Sequence, residues 1–124
     1  MKPQAYMTAW RTNNQSAFRE LLAADFTATE ADGATYYGLV EASRWFADWH
    51  ARFVMQDWVL THTYTQGMHT FAQWTLTYAD LHTPEQAVIV DGATDYVTEA
   101  GRLVQLTEYQ LGHQRFRPFA SSLA

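Results

Sequence analysis

The spacing of apolar and polar positions changes along the chain, from steps of three and four in the first half to steps of two in the second. Tyr6, Ala9, Trp10 and Asn13 recur at helical spacing behind Pro3, so residues 3–13 read as a short helix with an aromatic stripe. Asn13-Asn14 interrupts it, and either Asn can cap a second helix with Ala17, Phe18, Leu21 and Leu22 on its apolar face, ending near Ala24-Asp25. Phe26 to Glu30 then alternates as a strand does, and Asp32-Gly33 is a turn signal. Behind Gly38, Leu39, Ala42, Phe46, Trp49 and Phe53 form the longest helical stripe, with Glu41, Arg44, Asp48 and Arg52 on its opposite, solvated face.

From Trp58 the period is two. Trp58, Leu60, His62 and Tyr64 fall on one face of a strand, and Val59, Thr61, Thr63 and Thr65 on the other. Gln66-Gly67 turns the chain into a second strand, in which Ala72, Trp74, Leu76 and Tyr78 alternate with Phe71, Gln73, Thr75 and Thr77. A third strand runs from about Gln86 to Glu99 and a fourth from Arg102 to about Gln114, joined at Ala100-Gly101. Asp91-Gly92 inside the third strand reads as a bulge rather than a turn, because a turn would leave two strands of only about five residues beside much longer neighbours. Residues 118–124 read as a loose tail.

Helices followed by long antiparallel strands predict an α+β fold: a cone-shaped half-barrel, with three N-terminal helices packed on a strongly curved, mostly antiparallel sheet. A pocket is expected where the wrap is incomplete. With 124 residues the chain reads as one domain, its core at about residues 4–113.

Composition narrows the function. A formal charge of −5, from 8 basic and 13 acidic residues without a clustered positive face, argues against a nucleic-acid partner. Having no cysteine, the chain has no disulfide, thiolate metal site or cysteine nucleophile. No apolar run reaches signal-peptide or membrane-spanning length, so the expectations are no membrane association and a cytoplasmic location. The five histidines, at 50, 62, 69, 82 and 113, show no paired metal-ligand spacing, and no phosphate loop, dinucleotide fingerprint or serine-nucleophile elbow occurs. Neither a metal nor a cofactor is expected.

The candidate chemistry centres on Glu30, which alternation places on the apolar face with Phe26 and Ala28. An acid there is either a general base whose pKa is raised by its surroundings or a carboxylate paired at the pocket rim. His62, between Leu60 and Tyr64, reads as a hydrogen-bonded core histidine or as a second acid or base. Tryptophans at 10, 45, 49, 58 and 74 supply rings for a pocket, for core or for an interface.

Several strings, in this order, resemble the nuclear-transport-factor-2-like superfamily in its SnoaL-like and ketosteroid isomerase-like branch. They are Tyr6 to Trp10, Leu21-Leu22-Ala23-Ala24-Asp25, Gly38 opening the third helix, and Asp95-Tyr96 followed by Gly101-Arg102-Leu103-Val104. The resemblance spans roughly residues 4–113. It implies Glu30 at the position of the isomerase's carboxylate base, Tyr6 at that of the oxyanion tyrosine and Asp95 at that of the protonated acid. Glu30 stands where the isomerase has an aspartate, and Phe46 where it has a second tyrosine.

The resulting expectation is a cofactor-independent isomerase, cyclase or dehydratase acting on a small apolar carbonyl compound, with Glu30, Tyr6 and Asp95 catalytic and Trp10, Phe26, Trp45, Trp49, His62 and Tyr64 around the ligand. The alternative is a non-catalytic binding or interaction module of the same fold. The resemblance also implies a homodimer formed through the sheet.

Overall fold

The computed structural model describes residues 1–120; of the tail expected at residues 118–124, residues 121–124 lie outside the described residues. Three helices, α1 (Pro3–Arg11), α2 (Gln15–Glu20) and α3 (Gly38–Arg52), pack on one sheet of six strands. The strands are β1 (Leu22–Thr29), β2 (Thr35–Tyr37), β3 (Phe53–Gln66), β4 (His69–Asp80), β5 (Val88–Glu99) and β6 (Arg102–Gly112). Their order is β2-β1-β6-β5-β4-β3, antiparallel throughout except that β1 runs parallel to β6. The sheet does not close, and the α+β class expected from the periodicity holds. No helix among the described residues is long and apolar enough to cross a membrane.

Each helix forms for local reasons. Pro3 sits in the first turn of α1, where its missing N–H costs nothing, and the Asn14 side chain accepts from the Ala17 N–H at 3.0 Å to cap α2. The second helix stops at Glu20, short of the expected Ala24-Asp25, because Leu22 already pairs with Leu103 of β6. The three-residue β2 was too short to register as a strand in the sequence.

The core lies between the helices and the inner face of the sheet. Tyr6, Trp10, Phe18, Phe26, Ala28, Phe46, Trp74, Tyr96, Leu103 and Leu106 are all buried. Trp10 is its hub, with ring centroids 4.7 Å from both Trp45 and Phe46. His50 ties α3 to α1, its ring nitrogens lying 2.8 Å from the Phe46 carbonyl oxygen and 2.7 Å from that of Trp10.

Two strand details decide which side chains face inward. In β3, Leu60 pairs with Trp74 but His62 pairs with Gln73, so one residue, Thr61, is bulged out of register. A one-residue slip exchanges the two faces of everything beyond it. His62 and Tyr64 therefore share the outer face with Gln73 and Phe71, a correction to the simple alternation that put them with Trp58 and Leu60.

The second correction concerns Gly92, where β5 pairs without interruption on both sides; its register shift falls between Val97 and Thr98 instead. Gly92 serves a close approach rather than a bulge. A Cβ there would lie 2.3 Å from the Trp74 ring and 2.6 Å from the Tyr109 carbonyl oxygen. With β5 unbroken, Gly92, Thr94 and Tyr96 face inward opposite Trp74, Ala72 and Thr70, while Asp91 and Asp95 face outward.

Candidate active site

The parallel register of β1 and β6 sets Ala28 beside Leu106 on the inner face and Thr29 beside Thr107 on the outer one. One step further along both strands come Glu30 and Glu108. Antiparallel pairing of Glu108 with the buried Thr94 fixes the same inward facing from the other side. Both carboxyls line a cavity of about 50 Å³, with Gln110, Tyr6 and Trp10 of α1, Trp45 and Trp49 of α3, and Met55, Trp58 and Leu76 on the sheet.

The two acids are held differently. Glu30 Oε1 accepts a hydrogen bond from the Tyr36 hydroxyl at 2.6 Å, and the Tyr36 ring stacks on Trp45 with centroids 4.9 Å apart. That bond, together with burial, which acts first, holds the Tyr36 hydroxyl in its protonated, donating form. Glu108 has no such donor. Part of its side chain is accessible through the cavity, yet its carboxyl is packed round closely enough that burial, reinforced by the negative charge of Glu30, pushes its pKa up to about 8. The close surroundings of the carboxyl, not the accessibility of the whole residue, govern its ionisation. Burial also raises the Tyr6 hydroxyl well above its ordinary range, with Glu108 adding to the effect, so Tyr6 is a neutral donor at the same cavity.

The indole N–H groups of Trp10, Trp45 and Trp58 are buried without a hydrogen-bond partner. A wider groove of about 690 Å³ shares Glu30, Trp45 and Trp49 with the cavity and continues past Tyr36, Arg44 and Arg52. Among the described residues, no three His, Asp or Glu side chains gather as metal ligands would.

Of the residues proposed from sequence, Glu30, Tyr6, Trp10, Trp45 and Trp49 come together here. Phe26 is fully buried behind the wall and does not line the cavity. His62, Tyr64 and Asp95 lie on the opposite face. The bulge at Thr61 turned the first two outward, and the unbroken β5 did so for Asp95, whose carboxyl lies 3.0 Å from His69 Nδ1. The second carboxyl at the cavity is Glu108, not Asp95. The signal was available, because Glu108 follows Leu106 by two positions just as Glu30 follows Ala28. Tyr36 had no such signal, since its position depends on the short β2.

A profile of the SnoaL-like domain matches residues 4–106, most of the chain. The chain belongs to the SnoaL-like domain family. No curated protein matches the sequence of this SnoaL-like domain. Among solved structures, it is similar to a hypothetical protein with a ketosteroid isomerase-like fold from Catenulispora acidiphila, solved in complex with trimethylamine. That similarity has 27% identity and a TM-score of 0.78 over 86% of this chain and 82% of the other. A Mycobacterium tuberculosis protein described as a LEH-like epoxide hydrolase shares the fold at 11% identity, with a TM-score of 0.77 over 88% and 79% of the two chains. So does a proposed polyketide cyclase from Xanthomonas campestris, at 19% identity and a TM-score of 0.72 over 86% and 85%.

Proposed function

We propose that this SnoaL-like domain is a cofactor-independent acid–base enzyme of the isomerase, cyclase or dehydratase type. In this reading Glu30 takes a proton from the substrate and Glu108 returns one, while Tyr6 donates a hydrogen bond to a substrate oxygen. The observation that carries it is the pairing of two carboxyls in one cavity, Glu108 being kept protonated up to about pH 8 by burial and by the neighbouring Glu30. The isomerase, cyclase and hydrolase names among proteins of the same fold support the reaction class.

The cavity restricts the substrate. A single buried water needs about 10–15 Å³, so the space beside the carboxyls takes a molecule, or the end of one, of about three to five heavy atoms. Anything larger extends into the groove along Tyr36 and Trp49.

The test is deuterium incorporation from heavy water into a panel of small ketones and aldehydes, followed by proton NMR. Wild-type protein accelerates exchange, and Glu30→Gln loses about 10²–10⁴-fold of the acceleration. Equal exchange by both proteins removes Glu30 as the base.

A second reading, binding without turnover, is favoured by the trimethylamine bound to the Catenulispora protein, a ligand of the size this cavity admits. Homodimerisation belongs to either reading. It is supported by Val59, Tyr64, Phe71, Tyr109 and Leu111, all exposed apolar or aromatic side chains on strands of the sheet. A monomeric mass in sedimentation at micromolar concentration contradicts it.

A further inference from the structure

The cavity lining is electrically one-sided. Two carboxyls are present and no Lys, Arg or His is among the lining residues. Buried carboxylates are ordinarily paired with a cation. Here the nearest compensation is a tyrosine hydroxyl on Glu30, which orients the charge without neutralising it. The remaining wall is mainly aromatic: Tyr6, Trp10, Trp45, Trp49 and Trp58. Ring faces attract cations, most strongly when the ion is poorly hydrated and the site excludes water. A metal ion would need a cluster of oxygen or nitrogen ligands, and among the described residues none gathers.

We propose that the group admitted beside Glu30 and Glu108 is a small alkylammonium cation, held by the two carboxyls and the surrounding aromatic rings. This rests on the second reading of the Glu30–Glu108 cavity, binding without turnover, and names the chemical class it accepts. Size and charge select together. Methylated ammonium ions shed water more readily than an alkali metal ion and, with up to five heavy atoms, fit the space for about three to five. The acidic chain as a whole, at −5, favours the approach of a cation.

Occupancy is coupled to the proton on Glu108. The titratable groups facing it are Glu30 from β1, Tyr6 from α1 and Tyr96 from β5. Both tyrosines are pushed further above neutrality by burial, so Glu108 is the group that changes charge near pH 8. A bound cation favours its ionised form. Affinity therefore rises as pH climbs through about 8, and binding of the cation displaces a proton from Glu108.

The experiment follows the indole ¹H–¹⁵N signals of the full chain during titration with tetramethylammonium chloride, with sodium chloride and tert-butanol as controls. Tetramethylammonium is expected to shift the Trp10, Trp45 and Trp58 signals saturably and to bind at least about tenfold more tightly than tert-butanol, its neutral counterpart of similar size. Its affinity rises between about pH 7 and 9 in the wild type and is flat in Glu108→Gln, whose dispersed spectrum reports that it is folded. Equal or tighter binding of tert-butanol overturns the proposal, in favour of a neutral oxygen ligand on the unpartnered indoles. So does the absence of any saturable shift with tetramethylammonium. The acid–base reading fails separately, by equal deuterium exchange with wild type and Glu30→Gln, so the two failures are distinguishable.

Discussion

Glu30 and Glu108 on the inner face of the sheet, and Asp91 and Asp95 on its outer face, are the same functional group under opposite conditions. Asp91 accepts from the Thr75 hydroxyl at 2.8 Å, lies beside His113 and pairs with Arg115 at 2.9 Å, and these partners, Thr75 foremost, lower its pKa. Asp95 lies beside His69. Glu108 has no cationic partner and is raised. The difference is set by which way a strand residue points, because the inner face meets three helices and the outer face meets solvent. A carboxyl becomes a candidate for proton transfer here through its facing: the parallel register of β1 with β6 turns Glu30 and Glu108 inward, and the unbroken pairing at Gly92 turns Asp91 and Asp95 outward.

The largest expected effect tests the contrast between faces directly. Trp58 is buried against Tyr6 and Trp74, and its sequence neighbour Val59 is about half exposed on the other side. Trp58→Ala should cost about 3–5 kcal/mol in urea denaturation, and Val59→Ala should stay within about 0.5 kcal/mol. Similar losses for both would mean that β3 does not divide the molecule in this way.

Next comes the register of β5. Gly92→Ala drives a methyl group into the Trp74 ring and the Tyr109 backbone, and should cost about 1–3 kcal/mol. An unchanged melting temperature would instead favour the bulge expected from sequence, which would free both Gly92 and the facing of Asp95.

The two kinds of acid also give opposite pH dependences. In the unfolded chain Glu108 titrates near the ordinary 4.5, and in the folded protein near 8, so the native state holds an extra proton between these values. Its contribution is fully favourable below about pH 4.5 and is lost as pH rises to about 8. Glu108→Gln should remove this decline and raise the melting temperature above pH 8; an unchanged slope in thermal scans would contradict the raised pKa. Asp91 behaves inversely. Its stabilisation is present above its ordinary 3.8 and lost as pH falls through its lower native value, so Asp91→Asn should weaken the protein slightly near neutrality and flatten the acid limb of the same scans.

The fold was legible because its signals are repeated many times over. Three helical stripes and four long alternating strands survive errors of a few residues at their ends, as the early stop of α2 at Glu20 shows. The site was legible only in part because it hangs on single positions. Alternation placed Glu30 on the inner face, where it lines the cavity, as its partner strand runs in step with it. The same rule failed at His62 and Tyr64, where a bulge carries no residue-type signature, and resemblance pointed to Asp95 where the geometry offers Glu108. Tyr36, whose hydroxyl orients Glu30, depends on a strand of three residues that has no period to read.

The central claim is that two inward carboxyls share a cavity and ionise apart. Selective ¹³C labelling of glutamate side-chain carboxyls, with Glu108→Gln to assign the signal, reads this directly across a pH titration. The account predicts one carboxyl, absent from the variant, with a midpoint near pH 8. A Glu108 midpoint among the exposed glutamates, at about pH 4–5, would contradict it.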